Sequence, residues 1–159
     1  MSSDPVIELR GVRKAFGDGR PAVDDVTFTV GRGEFVALLG ASGSGKTTTL
    51  KLINRLIEPD AGEVRIEGAR ADDGPAHALR RRIGYVFQAS GLFPHLTVGE
   101  NIGVTPRLLG WSGEEIAARV TALLELVGLP AAFAARLPAG LSGGERQRVG
   151  VARALAARP

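Results

Sequence analysis

Apolar and polar positions alternate in the first third of the chain. Ile7, Leu9 and Val12 stand among polar residues, and Val26, Phe28 and Val30 alternate strictly with Thr27 and Thr29. A period of two predicts half-buried strands at both places. Gly31, Arg32 and Gly33 then make a turn, after which Phe35, Val36, Ala37, Leu38 and Leu39 form a continuous apolar run of strand length. Such a run suits a strand buried on both faces. A glycine-rich segment follows. Residues 46–56 then have helical character, with Leu50, Ile53 and Ile57 at spacings of three and four, and Pro59, Asp60, Ala61 and Gly62 close that helix. Two further strands are predicted at residues 64–66 and 83–87, separated by a polar loop around residues 71–75.

From Thr97 onward the pattern changes to helix. Ser112 followed by Glu115 is a capping-box sequence. Ile116, Val120, Leu123, Leu124 and Val127 mark one apolar face behind it, and Gly128 with Pro130 stops the helix. A second helix is expected just after Ser142, carrying Val149, Ala152 and Leu155 among many arginines. The organisation read from this pattern is a β-rich α/β part to about residue 88, a mostly helical insert to about 137, and a helix that returns towards the first part.

Composition narrows the class. The chain has 159 residues, 44% of them hydrophobic and 23% charged, which fits a folded globular unit and excludes disorder and collagen. Twenty Lys and Arg against 17 Asp and Glu leave a net charge of +3, too small an excess to name a nucleic-acid partner. With no Cys there is no disulfide framework, Cys-ligated zinc, iron–sulfur cluster or thiol nucleophile. The start, Met1 to Pro5, has no basic and apolar leader pattern, and no apolar run approaches the roughly 20 residues of a membrane span. A cytosolic protein is the simplest expectation. The 22 glycines are about twice the usual share, which either loose composition or dedicated loops would explain.

Two such loops carry chemistry. Gly40, Ala41, Ser42, Gly43, Ser44, Gly45, Lys46 and Thr47 match the phosphate-binding pattern G-x-x-x-x-G-K-[ST] at every fixed position. A chain of this composition is expected to hold roughly 0.005 such matches by chance. Between an apolar run and a helix, the glycines let backbone N–H groups curl around a phosphate chain at the positive end of the helix. Lys46 can then reach the outer phosphates, and the Thr47 hydroxyl can ligate Mg²⁺. The second loop, Leu141 to Arg148, offers the Ser142 hydroxyl and the N–H groups of Gly143 and Gly144 as another anion site at a helix start.

With both motifs in place, the sequence resembles the nucleotide-binding subunit of ABC transporters over essentially all of its length. Gly40 to Thr47 looks like the Walker A loop, Gln88 like the Q-loop glutamine, and Leu141 to Gln147 like the signature motif, while Phe16 matches the aromatic that stacks on adenine. The resemblance implies an α/β P-loop NTPase fold of ABC type, with an ATP-binding core in residues 1–88, a helical subdomain in 89–137, and the signature with its helix in 138–159. It implies ATP and Mg²⁺ as cofactors. Lys46 and Gln88 take the catalytic roles, Thr47 and Gln88 the metal, and Phe16, Val23, the loop residues 40–47 and Thr48 the nucleotide. Ser142, Gly143 and Gly144 would serve the nucleotide of a second ATP-binding subunit in a head-to-tail dimer. The implied partners are transmembrane permease subunits and, indirectly, a solute-binding protein, at the cytoplasmic face of the membrane; no nucleic acid is expected.

The likeness narrows to importers of quaternary amines such as glycine betaine, carnitine or choline, through the stretches Thr47 to Pro59, Arg82 to His95 and Val104 to Trp111. Importers of amino acids or other small solutes stay open, as does a nucleic-acid-processing branch of the ABC ATPases, although the compact insert holds no heptads. Leu92, Phe93, Pro94 and Leu96 are apolar residues in a loop, where the resemblance implies cover by a membrane subunit and the alternative is internal packing. His77 and His95 read as solvated, Trp111 as a packing residue, and Arg80 to Arg82 as a solvated or interface face. The family's Asp-Glu pair that ends the Walker B strand would follow Pro159, and its switch histidine matches neither His77 nor His95. The expectation for these 159 residues is therefore nucleotide binding without hydrolysis, as a piece of an importer ATPase or as a non-hydrolysing module.

Overall fold

The computed structural model describes residues 5–17 and 19–159; the start Met1 to Asp4, read above for a leader, lies outside them. The chain divides into two units, residues 1–80 and 81–159.

The first unit is built on an antiparallel sheet of order β2-β1-β3-β4, from β1 (Ile7–Lys14), β2 (Val23–Val30), β3 (Ala61–Ile66) and β4 (Ala69–Arg70). In β2 the expected alternation holds, with Val26, Phe28 and Val30 half-buried and Thr27 and Thr29 exposed. In β1 the fully buried Leu9 and Val12 are three residues apart. A break in register between them restores the facing, and there the Gly11 N–H leaves the ladder and donates to Thr27 Oγ1 at 2.8 Å. The β1–β3 register shifts between Arg10 and Arg13, where a side chain at Gly62 would meet the Gly11 carbonyl oxygen at 2.3 Å, so only glycine fits that approach. Helix α1 (Lys46–Ile53) buries Thr49, Leu52 and Ile53. It ends earlier than its periodicity suggests, because Asn54 caps it and Arg55 turns to a positive φ of 50°. A short helix α2 (Ala76–Arg81) follows the polar loop.

The second unit is helical. Helices α3 (Val98–Leu108), α4 (Gly113–Leu126) and α5 (Gly143–Leu155), with 3-10 turns at Ala131–Ala135 and Pro138–Gly140, enclose a core that includes Ile102, Leu123, Leu124, Phe133 and Val149. All three helices start in capping boxes: Thr97 with Glu100, the expected Ser112 with Glu115, and Ser142 with Glu145. Each box satisfies orphan N–H groups of the first turn from within three residues, so these starts are local properties of the chain. Arginines then tie the loops down. Arg119 donates to the Leu155 and Ala156 carbonyls at the end of α5, and Arg148 to the Gly128 carbonyl past the end of α4. A planar guanidinium can bridge two carbonyls, which Arg55 and Arg153 also do.

Two expected strands do not form. Residues 35–39 have no regular structure and pair with no strand among the described residues, and Phe35 and Leu39 are 92% and 90% exposed. Residues 83–87 are likewise outside any sheet. They run against α5, where a side chain at Gly84 would meet the Ala154 carbonyl oxygen at 2.6 Å, and Tyr85 meets Phe87 edge-on at 4.9 Å. The apolar runs encode a demand for burial. A strand also needs a ladder partner on its edge, and neither run pairs with the sheet of order β2-β1-β3-β4.

Candidate functional site

The glycine-rich loop lies in the first unit and leads directly into α1. Gly45 is the N-cap residue with φ 90°, no side chain caps the helix, and no acidic residue sits in its first turn. The α1 N-terminus therefore presents backbone donors and a positive dipole end without a built-in anion. Lys46 folds back over the loop, its ammonium donating to the carbonyls of Gly40 at 2.8 Å and Ala41 at 2.7 Å and to Ser44 Oγ at 3.2 Å. The loop closes on itself through the Ser44 N–H, which donates to the Ala41 carbonyl at 3.2 Å. Ala41, Ser42, Gly43, Ser44 and Thr47 are exposed, and Thr48 is half-buried. A side chain at Gly45 would meet the Ala22 carbonyl oxygen at 2.1 Å, so this glycine lets the loop seat on the entry to β2.

Phe16 lies just past β1 with 59% of its surface exposed and the Lys14 ammonium 5.8 Å from its ring. Val23 is placed differently: it is 3% exposed at the start of β2, and its Cγ2 is the side-chain atom nearest to where a Cβ on Gly45 would stand. It supports the base of the loop.

In the second unit, Ser142 caps α5, its hydroxyl accepting from the Glu145 N–H at 3.3 Å while its own N–H donates to Glu145 Oε2 at 2.6 Å. The Ser142 N–H and hydroxyl hold the Glu145 carboxyl below the usual carboxylate range. Gly143 and Gly144 are exposed, have ordinary φ, and a side chain at either would touch nothing within 4 Å. Nothing inside the fold asks for glycine there, so the bare backbone suits close approach by a group from outside. Gln88 is exposed, and its carbonyl accepts from Gln147 Nε2 at 2.8 Å.

The apolar loop after Gln88 is partly packed. Leu92 lies against the helical core, whereas Phe93 stays 43% exposed with His95 edge-on to its ring at 6.1 Å. Sequence reasoning missed what shapes this loop. Asn101 is fully buried on α3, accepts from the Phe93 N–H at 2.8 Å, and places Nδ2 within hydrogen-bond reach of the Phe93, Leu96 and Thr97 carbonyls. A polar residue beside Val98 and Ile102 on an apolar helix face was the available signal.

Both loops have the donor chemistry for phosphate: backbone N–H groups at a helix start, an ammonium in one and a hydroxyl in the other. Thr47 in the first unit and Gln88 in the second are exposed side chains that each carry a neutral oxygen, the kind of donor Mg²⁺ accepts. Among the described residues there is no cluster of three or more His, Cys, Asp and Glu that would hold a metal without such help. No helix among them is long and apolar enough to cross a membrane.

Comparison with known proteins agrees with this chemistry. The choline transport ATP-binding protein OpuBA of Bacillus subtilis (strain 168) is 47% identical over 154 residues, covering 97% of this chain and 40% of that protein. The glycine betaine uptake system ATP-binding protein YehX of Escherichia coli (strain K12) is 49% identical over 154 residues, covering 97% and 50%. The chain thus spans half or less of the length of these relatives. Among solved structures, the dimeric ATP-binding cassette MJ0796 in a post-hydrolysis state with ADP and Pi is similar with a TM-score of 0.88 and 39% identity, over 96% of this chain and 70% of that one. The fold is that of a P-loop NTPase of ABC type. The ABC transporter family profile matches residues 23–159, and the chain belongs to that family.

Proposed function

We propose that this chain is the nucleotide-binding part of the ATPase subunit of an ABC importer, and that the solute is a quaternary-amine osmoprotectant. The observation that carries the first statement is the Lys46 ammonium, gathered over the glycine-rich loop at the uncapped start of α1. That arrangement puts a cation, a dipole end and flexible backbone donors where a triphosphate needs them. The printed names of OpuBA and YehX, which refer to choline and glycine betaine, support the second statement.

In this proposal Gly40 to Thr48 cradle the phosphates, Lys46 neutralises the outer ones, and Phe16 offers its face to the adenine while Val23 holds the loop base from beneath. Bound Mg²⁺ supplies charge neutralisation on the phosphate oxygens. Thr47 and Gln88 orient it. The Ser142 hydroxyl with the Gly143 and Gly144 amides reaches the nucleotide of a second ATP-binding subunit, packed head to tail. Residues 1–88 act as the ATP-binding core, 89–137 as the helical subdomain that meets the permease at the cytoplasmic face, and 138–159 as the signature segment; a solute-binding protein acts only through the permease.

Titration of the chain with a fluorescent ATP analogue tests the site. Lys46→Ala removes a charge-assisted contact, which is expected to weaken binding by about ten- to a hundredfold. Unchanged affinity would remove the basis of the proposal. For the solute, cells lacking the gene should lose uptake of radiolabelled glycine betaine at high osmolarity while amino-acid uptake stays normal. The reverse pattern would select an amino-acid importer.

A further inference from the structure

The backbone after Gln88 has no regular structure of its own, yet three of its four carbonyls are tied to one helix. Gln147 Nε2 donates to the Gln88 carbonyl at 2.8 Å, and the two Nη groups of Arg153 donate to the Ser90 carbonyl at 3.1 Å and the Gly91 carbonyl at 2.7 Å. Gln147, Gly150 and Arg153 are spaced by three on α5 and so form one stripe along it. The middle residue is a buried glycine, and a side chain there would meet the Ser90 carbonyl oxygen at 3.6 Å. The segment therefore lies directly over the stripe. Its far end is held too, because Gly91 turns with φ 56° under the Phe87 ring, with the Arg153 guanidinium 5.8 Å from the centre of that ring.

We infer that Gln147 and Arg153 are positioning residues that lock residues 88–91 onto α5, so that the Gln88 loop and the Ser142 cap are carried by a single rigid piece of backbone. The roles of Gln88 and Ser142 rest on the nucleotide proposal above; the clamp itself rests on the three hydrogen bonds. A displacement of the loop is then passed to the α5 N-terminus, five residues before Gln147, without a slack joint. Arg153 suits this task because its planar fork engages two carbonyls at once, which a lysine cannot do with fixed geometry.

Gln147 is exposed, so its substitution leaves the core intact. Gln147→Glu keeps the shape but removes the donor and sets a carboxylate against the Gln88 carbonyl, whereas Gln147→Lys restores a donor. The 159-residue chain is compared in these three forms by amide exchange at Phe93, whose N–H just past the clamp is held by Asn101 Oδ1, and by ATP titration with and without Mg²⁺. Gln147→Glu is expected to speed exchange about fivefold and to lower the Mg²⁺-dependent gain in ATP affinity by a similar factor. Gln147→Lys recovers both losses. Exchange and Mg²⁺ gain at the unsubstituted level in Gln147→Glu, or no recovery in Gln147→Lys, would overturn the clamp. An unsubstituted chain whose ATP affinity ignores Mg²⁺ would overturn the metal role of Gln88 alone, since the exchange comparison still decides the clamp.

Discussion

Replacing Gly45 with alanine tests whether the phosphate loop is seated on β2 as described. Gly45 has φ 90°, and an added Cβ would stand 2.1 Å from the Ala22 carbonyl oxygen and 3.3 Å from its carbon. Ala22 cannot swing away freely, because its N–H is held by the Lys14 carbonyl at 2.8 Å. Two costs add: about 1–2 kcal/mol for a non-glycine residue in the left-handed region and about 1–3 kcal/mol for overpacking against fixed backbone. Gly43→Ala is the internal control. It has φ 81° but open space around the new Cβ, so only the first cost of about 1–2 kcal/mol applies. Urea unfolding, followed by amide exchange of β1 and β2, should therefore place Gly45→Ala below Gly43→Ala by about 1 M in midpoint. Equal midpoints would refute the close approach to Ala22. Both substitutions should weaken ATP binding, since each alters the loop, so stability and not affinity is the discriminating measurement.

Other outcomes follow from the same geometry. Ser112→Ala, at the cap of α4, should cost about 1 kcal/mol in urea unfolding, and no change would mean that the cap contributes nothing. In the three boxes the carboxyls of Glu100, Glu115 and Glu145 are held below their ordinary value of 4.5, chiefly by the backbone N–H groups of Thr97, Ser112 and Ser142. Because the folded-state values are depressed, the stability they contribute is present above pH 4.5 and is lost as pH falls through it towards the folded values. Circular dichroism on acidification should show helix loss starting there, and Glu115→Gln should reduce that acid sensitivity; an unchanged profile would contradict the assignment. Phe35→Lys combined with Leu39→Lys, at positions 92% and 90% exposed, should reduce self-association in light scattering with little change in unfolding midpoint. Undiminished association would show that this segment is not the sticky surface.

Much of the candidate site was legible because its signals are short. The pattern from Gly40 to Thr47 announces a glycine-rich loop entering a helix from eight consecutive residues, and Ser112 with Glu115 announces a helix start from four. Ser142, expected from its sequence to offer an anion-binding hydroxyl, is the structural cap of α5, a use that its spacing to Glu145 already contained. Gln147 and Arg153 were not legible, because a glutamine and an arginine on an exposed-looking helix face gain meaning only once the carbonyls of residues 88, 90 and 91 lie across them. Val23 was expected at the nucleotide and lies beneath the loop, a distinction set by packing against Gly45.

By itself the sequence determined what depends on neighbours within a few positions: alternation in β2, the loop that enters α1, and the caps of α4 and α5. These are settled by backbone dihedrals, short-range hydrogen bonds and side-chain type. Tertiary structure alone decided which apolar runs became strands. Residues 64–66 found β1 across a bulge made possible by Gly62, whereas residues 35–39, with a stronger apolar pattern, lie beside no strand. Hydrophobicity states how much a segment gains from burial, but ladder formation needs a complementary edge, and no local pattern encodes where that edge is.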